Sequence, residues 1–438
     1  MPDQWLATRS QYLVWTGKGV KQTVTLTQNK LIFWLAMLIA QASAFILFKD
    51  LADISQWLVQ STREFTMAVW YSRYVISGVA FLFLFVSLFT WWQHKVLCSK
   101  VALIFLVFFF IFNYYSGMIN TSWMFRSQQH EATFVPVPEA EEFMQRSLEL
   151  AHFGPESYAS VDEINVLVLE TDNGAYAYSD YYLLQPHVVK GDTIDGEEVI
   201  MTYCGLTNLG IAYSPIIEGK KLDLTVMTQL KNNLVLFDKN SGEPIQQIWG
   251  TMESDETKQA MKEWPTIRMP FSSFKKLYPE GKVFINEIAD FEKNPVLAIW
   301  DRLVRHVMML WGVGLNWVDN DKPAFPTIDF KDKRLPMKEL IYSISLNGDH
   351  VVYSKDFVKA QGNIINVIIG GEDVVVDYDE EFNSLTAFFN GTDDVVSNVD
   401  IFGLTDKGVQ LERVNTLKSR LFWFIFVEFF PETDVNRV

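Results

Sequence analysis

The sequence predicts a membrane-anchored α+β protein, in which three N-terminal transmembrane helices precede a mainly β exported domain built from two tandem repeats. Hydrophobic residues make up 49% of the chain, but charged residues make up 21%, too many for a chain that lies wholly in the membrane. The charge is divided unevenly: residues 1–129 carry ten Lys and Arg against four Asp and Glu, net +6, and the remainder has a net charge of −22. Beyond residue 160, long apolar runs give way to short alternating ones that recur later in the chain.

The predicted membrane domain covers residues 1–129. Its three spans, 31–48, 74–92 and 101–119, are almost uniformly apolar and free of charged residues. A helix needs about 20 such residues to cross a hydrocarbon core of roughly 30 Å, so the lipid bilayer is the first predicted partner.

The basic residues around these spans predict the orientation of the chain. The segment before the first span and the short second loop are rich in Lys and Arg, whereas acidic residues balance the basic ones in the first loop. Because basic residues mark cytoplasmic segments, we expect a cytoplasmic N-terminus. Three crossings then place residues from about 120 to 438 in the periplasm of a bacterium, anchored in the inner membrane.

A linker and a short helix, residues 130–160, connect the membrane domain to the β-rich part. In residues 161–285, apolar or alternating runs of strand length are separated by Asn-Gly, Asp-Gly and Glu-Gly dipeptides, which are typical of tight turns. This segment is the first predicted repeat.

The second predicted repeat, residues 336–438, echoes the first in the same order. The stretch from Ile164 resembles the one from Leu340, so that Ser179 matches Ser354 and Tyr203 matches Tyr378, and a Phe/Tyr-Pro-Glu stretch near Pro279 returns near Pro431. Three echoes in one order indicate a duplication.

An insertion, residues 286–335, separates the two repeats and contains an amphipathic helix. Its apolar face packs on the protein's own sheet or docks on a membrane or a partner protein. The docking candidates are Trp300, Arg302, Arg305 and Trp311.

Several segments carry a family resemblance. They are a strand that ends in Tyr203-Cys204-x-Leu206, an Asp-x-x-Ser-Gly turn at 238–242, a Trp-Gly segment at 246–250, a Pro-x-Lys-Glu strand start at 336–340, and the Phe-Trp-Phe to Phe-Pro-Glu-Thr stretch at 422–433. Over residues 160–435 the chain resembles the bacterial domain-of-unknown-function family 3179, to which the membrane segment is an addition. Many relatives carry Pro and a second Cys where this chain has Gly205 and Thr207. The resemblance implies a fold and a compartment but no established activity.

Most site chemistries lack their motifs in this sequence. The six histidines show no His-x-His or His-x-x-x-His spacing, and neither a Gly-x-Ser-x-Gly elbow nor a phosphate-binding glycine loop is present. We therefore predict no metal and no cofactor. Because the β-rich part has a net charge of −22, we also predict no nucleic-acid partner.

The turn at Cys204 leaves two interpretations open. The thiol packs in the core as a small hydrophobe, or it lines a ligand pocket together with Tyr203, Thr207 and Asn208. Two functions follow: a periplasmic module that binds a ligand or a partner as a subunit of an inner-membrane complex, or a thiol- or metal-dependent enzyme or redox protein. The sequence favours the first, since three spans exceed what tethering requires and no catalytic constellation is apparent.

Overall fold

A computed structural model describes most of the chain. The described residues are 17–52, 55, 61–95, 97–118, 133–150, 158–180, 183, 186–254, 259–285, 322–323, 325, 327–328, 332–392 and 394–436. The chain divides into two compact units: Met1–Asp50 with Ala68–Met118, and Leu51–Met67 with Ile119–Val438.

The first unit is made of three apolar helices, α1 (Gly17–Leu51), α2 (Arg63–Gln93) and α3 (Lys100–Met118), although the last residue of α1 and the first five of α2 belong to the second unit. Each has a stretch long and apolar enough to cross a membrane, and the three predicted spans fall on them, except that residue 119 lies outside the described residues. The region is therefore consistent with an added membrane segment, as the sequence predicts.

Packing within this unit uses small residues. Ala36, Ala40, Ala44 and Ala80 are buried between the helices. A Cβ at Gly117 would collide with the backbone of Leu47, so glycine allows α3 to approach α1 closely, as is common between membrane helices. Many large apolar side chains on the outer faces, such as Phe105 and Phe108, stay exposed.

The second unit is mainly β. Its helices are α4 (Val137–Leu150), α5 (Phe271–Leu277), α6 (Lys355–Ala360) and α7 (Trp423–Phe429). The strands of its first half are β1 (Thr133–Pro136), β2 (Asn165–Thr171), β3 (Gly174–Ser179), β4 (Val188–Ile194), β5 (Glu197–Cys204), β6 (Leu209–Tyr213), β7 (Ile216–Ile217), β8 (Lys220–Lys221), β9 (Leu224–Leu230), β10 (Asn233–Asp238), β11 (Pro244–Gln246), β12 (Thr251–Met252), β13 (Glu263–Trp264), β14 (Ile267–Pro270) and β15 (Lys282–Ile285). Those of its second half are β16 (Leu340–Leu346), β17 (Asp349–Ser354), β18 (Ile364–Ile369), β19 (Glu372–Asp379), β20 (Ser384–Phe389), β21 (Glu412–Arg413), β22 (Lys418–Phe422) and β23 (Asp434–Asn436).

Two-residue turns connect many of these strands. Asp195-Gly196, Asn347-Gly348 and Gly370-Gly371 all have positive φ at both positions. Such turns match the right-handed twist of a hairpin, and Asn, Asp and Gly tolerate this backbone best. The turn dipeptides of the sequence therefore mark true hairpins at these places.

The sheets form a propeller-like ring. Over the described residues there are five sheets of four or five strands, besides the short β7–β8 ribbon. Their strand orders are β1-β15-β3-β2-β14, β13-β6-β5-β4, β12-β11-β10-β9, β22-β16-β17-β23 and β18-β19-β20-β21. In the first sheet β15 runs parallel to β3, and in the fourth sheet β23 runs parallel to β17, whereas β2–β3 and β16–β17 are antiparallel hairpins.

Apolar side chains from neighbouring sheets form the core between them. One cluster joins the β2–β3 sheet to the β4–β6 sheet, a second joins β5, β6, β9 and β10 to α7, and a third joins β16 and β17 to β19. Most strands are buried on both faces, which explains why the sequence shows apolar runs more often than strict alternation.

Candidate functional site

The predicted site residues lie at the end of β5 and in the turn that follows it. Tyr203, Cys204, Thr207 and Asn208 are all buried there. The hydroxyl of Tyr203 donates to Oδ1 of Asn208 over 2.9 Å, and the hydroxyl of Thr207 donates to the carbonyl of Cys204 over 3.2 Å. Asn208 has φ of +55°, a conformation that Asn tolerates in tight turns. The role of these four residues in ligand binding stays a prediction.

The thiol of Cys204 points away from the tyrosine beside it. Adjacent strand residues face opposite sides, so Tyr203 packs in the β2–β6 core and Cys204 in the core that contains α7. Its Sγ lies 3.4 Å from the carbonyl oxygen of Asn232. Burial raises the pKa of the Cys204 thiol to about 11, so the thiolate that nucleophilic or metal chemistry needs is scarce at neutral pH.

A buried polar network surrounds Asn208. Nη2 of Arg268 donates to Oδ1 of Asn208 over 2.6 Å and to a carboxylate oxygen of Asp180 over 2.7 Å. The side chains of Arg268 and Asp180 are both fully buried. The hydroxyl of Tyr158 donates a further hydrogen bond to Asp180 over 3.0 Å. A buried charge is costly unless it is paired and hydrogen-bonded. This network meets that need and connects the sheet of β14, β2 and β3 to the turn between β5 and β6.

The predicted docking residues of the inter-repeat insertion lie outside the described residues. Trp300, Arg302, Arg305 and Trp311 all fall in residues 286–321, so their role stays a prediction. Within the described ranges, no group of three or more His, Cys, Asp and Glu side chains is arranged to hold a metal ion.

A small open cleft lies in the second half of the β-rich unit. Its volume is about 170 Å³, and it lies beside the β16–β17–β22 sheet and the start of α6. The lining residues are Glu339, Leu340, Tyr342, Lys355, Asp356 and Arg420. Two cationic and two carboxylate side chains therefore border one small space, in contrast to the apolar surroundings of Cys204.

The cationic residues of the cleft stand at positions that match the buried network of the first half. Arg420 lies in β22, the outer strand beside β16, as Arg268 lies in β14 beside β2. Lys355 directly follows the end of β17, as Asp180 directly follows the end of β3. The matching place thus holds a cation in one half and an anion in the other.

The tyrosine–asparagine pair also occurs in both halves. The hydroxyl of Tyr378 donates to Oδ1 of Asn383 over 2.7 Å, as Tyr203 does to Asn208. Nζ of Lys355 donates to the same Oδ1 atom over 2.9 Å. The pair therefore positions a charged neighbour in each half.

Arg420 has an irregular backbone. Ile341 pairs with Leu421 and Tyr342 pairs with Ser419, so Arg420 is the extra residue of a β-bulge. Its φ is +57°, which is uncommon for a long side chain. The matching Arg268 lies in a regular ladder opposite Leu167 and is fully buried, whereas Arg420 is half-buried at the cleft. Bulges commonly re-aim a side chain near functional sites.

The two carboxyl groups that line the cleft, those of Glu339 and Asp356, interact electrostatically. Burial, and then the charge of Asp356, raises the pKa of Glu339 above its ordinary value. The two carboxyl groups therefore lie close enough to repel each other, and a nearby positive charge would relieve that repulsion.

Sequence reasoning did not select the cleft residues. The offset that pairs Ser179 with Ser354 also pairs Asp180 with Lys355, a charge reversal beside a strand end. The offset that pairs Pro279 with Pro431 pairs Arg268 with Arg420. Reading those aligned positions for charge differences would have identified the two cations.

The comparisons with known proteins extend the family resemblance. Neither the curated proteins nor the solved structures gave a significant match. The profile of one family, described as protein of unknown function (DUF3179), matches residues 147–433. This match covers well over half of the chain and the whole ring of sheets from β2 to β22, and so the chain belongs to the DUF3179 family.

Proposed function

We propose that this protein is a bacterial inner-membrane protein whose periplasmic β domain binds a ligand or a partner, as a subunit of a membrane complex. The observation that carries the proposal is the charged cleft, a concave space bordered by convergent polar groups. Three apolar helices are more than a tether requires, and that number favours membership in a complex.

Contacts of the loop between α1 and α2 support its location on the same side of the membrane as the β domain. Residues 51–67 belong to the same compact unit as the β domain. There Arg63 donates from Nε to Glu253 over 3.0 Å and from Nη1 to Gln246 over 2.9 Å, and its guanidinium lies 4.7 Å from the centre of the Trp249 ring. One crossing precedes the loop and three precede the domain, so both would emerge on the same side. The basic residues before the first span and in the second loop support a periplasmic location for that side.

We also infer that the β domain descends from two tandem repeats. The order β14-β2-β3-β15 corresponds to β22-β16-β17-β23, and β4-β5-β6-β13 corresponds to β18-β19-β20-β21. A short helix, α5 or α7, follows the outer strand in each half, and its first amide donates to the chain just before the hairpin, at Ile164 or Glu339. Among the described residues, the β9–β12 sheet has no counterpart in the second half.

The alternative function, a thiol- or metal-dependent enzyme, draws little support from the turn at Cys204. The thiol is 3% exposed, and its raised pKa disfavours the reactive thiolate. The proposal therefore does not use Cys204.

Native mass spectrometry of the full chain, extracted from native membranes in detergent, tests the binding function. We expect wild-type protein to carry a small-molecule adduct that Lys355→Met loses. Lys359→Met is a matched control, because Lys359 lies on the same helix, is exposed and pairs with Glu380 outside the cleft. Wild-type protein without an adduct, or an adduct that Lys355→Met retains, would contradict the assignment of binding to this cleft.

A further inference from the structure

Strand β18 stands at the edge of its sheet. It pairs with β19 on one side, and in the described part of the chain no strand pairs with its other side. The main-chain amide of Tyr378 donates to the carbonyl of Asn363, so these two residues form a hydrogen-bonded pair of the ladder. Hydrogen-bonded and non-hydrogen-bonded pairs alternate along an antiparallel ladder. The main-chain groups of Ile364, Asn366 and Ile368 therefore point away from β19, to the free edge.

The residues of β18 do not protect this edge. Natural sheets protect exposed edges with charged side chains, proline or bulges. The six residues of β18, Ile-Ile-Asn-Val-Ile-Ile, include no charge and no proline, and their register with β19 is unbroken. Asn366 is exposed, and Ile368 is 68% exposed. An uncharged, regular and exposed edge is a template for another strand.

The matching strand of the first half, β4, has the protection that β18 lacks. β4 lies beside β5 as β18 lies beside β19. It contains Lys190 and Asp192, and its register shifts between Lys190 and Thr193. Its first two residues, Val188 and Val189, are fully buried. The two halves therefore differ in the features that keep an edge from pairing.

The exposed apolar surface of the β-rich unit lies in the same region. Outside α1, α2 and α3, the large apolar side chains that are exposed among the described residues are Ile368, Val395, Phe402, Leu404 and Val409. They belong to β18 or to the segment between β20 and β21. The side chain of Asn366 joins these two parts, because it donates to the carbonyl of Val396 over 2.9 Å and accepts from the amide of Val396 over 3.0 Å. Val395 therefore lies close to the strand whose edge is free.

The sequence of β18 is complementary to itself in an antiparallel pair. When Asn366 lies opposite Asn366 of a second copy, Ile364 lies opposite Ile368, and Ile365 lies opposite Val367. Apolar side chains then meet apolar ones on both faces, and no like charges lie opposite each other. The outward main-chain groups form three hydrogen-bonded residue pairs of two bonds each, which gives six hydrogen bonds between the chains. This self-complementarity favours a second copy of the chain as the partner.

We propose that the protein forms a two-fold symmetric dimer through β18, in which two four-stranded sheets join into one sheet of eight strands. At about one hydrogen bond per 100 to 200 Å² of interface, six bonds indicate an area of roughly 600 to 1,200 Å². That area is typical of a weak interface. Anchoring of both chains in one membrane raises their effective concentration and favours the pair. β18 contributes no residue to the charged cleft, so this inference goes beyond the proposed binding function.

Disulfide cross-linking of the full chain in native membranes tests the inference. In a Cys98→Ser background, where the buried Cys204 is the remaining cysteine, Asn366→Cys places one thiol of each chain beside the two-fold axis. The Cα atoms of a hydrogen-bonded pair are about 5.5 Å apart, within the range that a disulfide spans. We expect oxidation with copper phenanthroline to convert most of this variant to a linked product of twice the mass of one chain.

The flanking isoleucines provide matched controls of the register. Ile368→Cys alone lies four residues, or roughly 14 Å, from its own copy in the second chain, and the same holds for Ile364→Cys alone. Each single variant should therefore cross-link at least about tenfold more slowly than Asn366→Cys. The two changes combined in one chain should cross-link as Asn366→Cys does, because Ile364 lies opposite Ile368. This combination also leaves the hydrogen bonds of Asn366 to Val396 in place.

Proline at the free edge tests the main-chain contact. Because the amide of Ile368 points away from β19, Ile368→Pro keeps the ladder within the chain but removes an outward donor from each copy. Cross-linking of Asn366→Cys should fall about tenfold when Ile368→Pro is added, and stay within about twofold when Ile368→Val is added. Melting temperatures of both combinations show whether the fold is retained.

Three results would overturn the inference. Equal cross-linking of Asn366→Cys and Ile368→Cys would indicate random collision. If neither Asn366→Cys nor the combined isoleucine variant cross-links in folded protein, the edge does not meet a second copy. A product whose mass is not twice that of the chain would assign the edge to a strand of another protein. None of these results alters the adduct expected from the cleft, so the proposed binding function is tested separately.

Discussion

Cys204 has the surroundings of a packing residue. In a Cys98→Ser background, where it is the remaining cysteine, we expect a water-soluble maleimide to modify it only after the protein unfolds. Cys204→Ser places a hydroxyl in an apolar core and should lower the free energy of unfolding by about 1 to 3 kcal/mol, with ligand binding by the folded protein unchanged. Rapid labelling of the native protein, or loss of binding without loss of stability, would contradict this role.

Asp377, in β19, makes the stability of the domain depend on pH. Burial, and then the charge of Asp379, raises the pKa of the Asp377 carboxyl from 3.8 to about 7. The protonated carboxyl therefore contributes fully to the free energy of unfolding below about pH 4, and this contribution is lost as pH rises through 7. The reason is that the unfolded chain releases the proton at a lower pH than the folded one. Asparagine cannot ionise, so the free energy of unfolding of Asp377→Asn should rise relative to that of wild type, by on the order of 3 kcal/mol, when the pH is raised from 4 to 8.

Chemical denaturation of the full chain in detergent, followed by tryptophan fluorescence at both pH values, measures this difference. Asp373→Asn is the matched control, because Asp373 lies on the same strand but is exposed. A wild-type and an Asp377→Asn protein whose stabilities change with pH in parallel would exclude the raised pKa.

At the scale of elements, the hairpin between β18 and β19 offers a matched pair of glycines. Both Gly370 and Gly371 have positive φ, so alanine at either position costs about 1 to 2 kcal/mol of backbone strain. A Cβ at Gly370 would also collide with the carbonyl oxygen of Leu346, whereas one at Gly371 would meet open space. We expect Gly370→Ala to melt well below Gly371→Ala in a thermal scan. Equal melting temperatures would show that the carbonyl can move aside.

The sequence predicted those elements whose signals are local. The apolar runs predicted α1, α2 and α3, and the Asn-Gly and Asp-Gly dipeptides predicted hairpins, because a turn depends on its own residues. The bulge at Arg420 could not be predicted in this way. It depends on a mismatch in the register between β16 and β22, two strands far apart in the chain.

At the scale of the molecule, the sequence predicted a membrane segment followed by a mainly β domain. It did not predict the propeller-like ring, since sheet-to-sheet contacts leave no pattern in one strand. For a related reason, the sequence did not predict the charged cleft and pointed to the turn at Cys204 instead. Cys204 is one of only two cysteines in the sequence, which made it a candidate. Lysine and arginine are common in the sequence, and only the fold brings Lys355 and Arg420 to one cleft.

Ligand access depends on which side of the membrane carries the cleft, and a pair of reporter fusions measures this most directly. A reporter enzyme that is active only outside the cytoplasm is joined after Val438 in one strain and after Lys95 in another. Because basic residues flank the cytoplasmic segments, we predict activity for the fusion after Val438 and silence for the fusion after Lys95. A silent fusion after Val438, with an active one after Lys95, would place the cleft in the cytoplasm and contradict the proposed function.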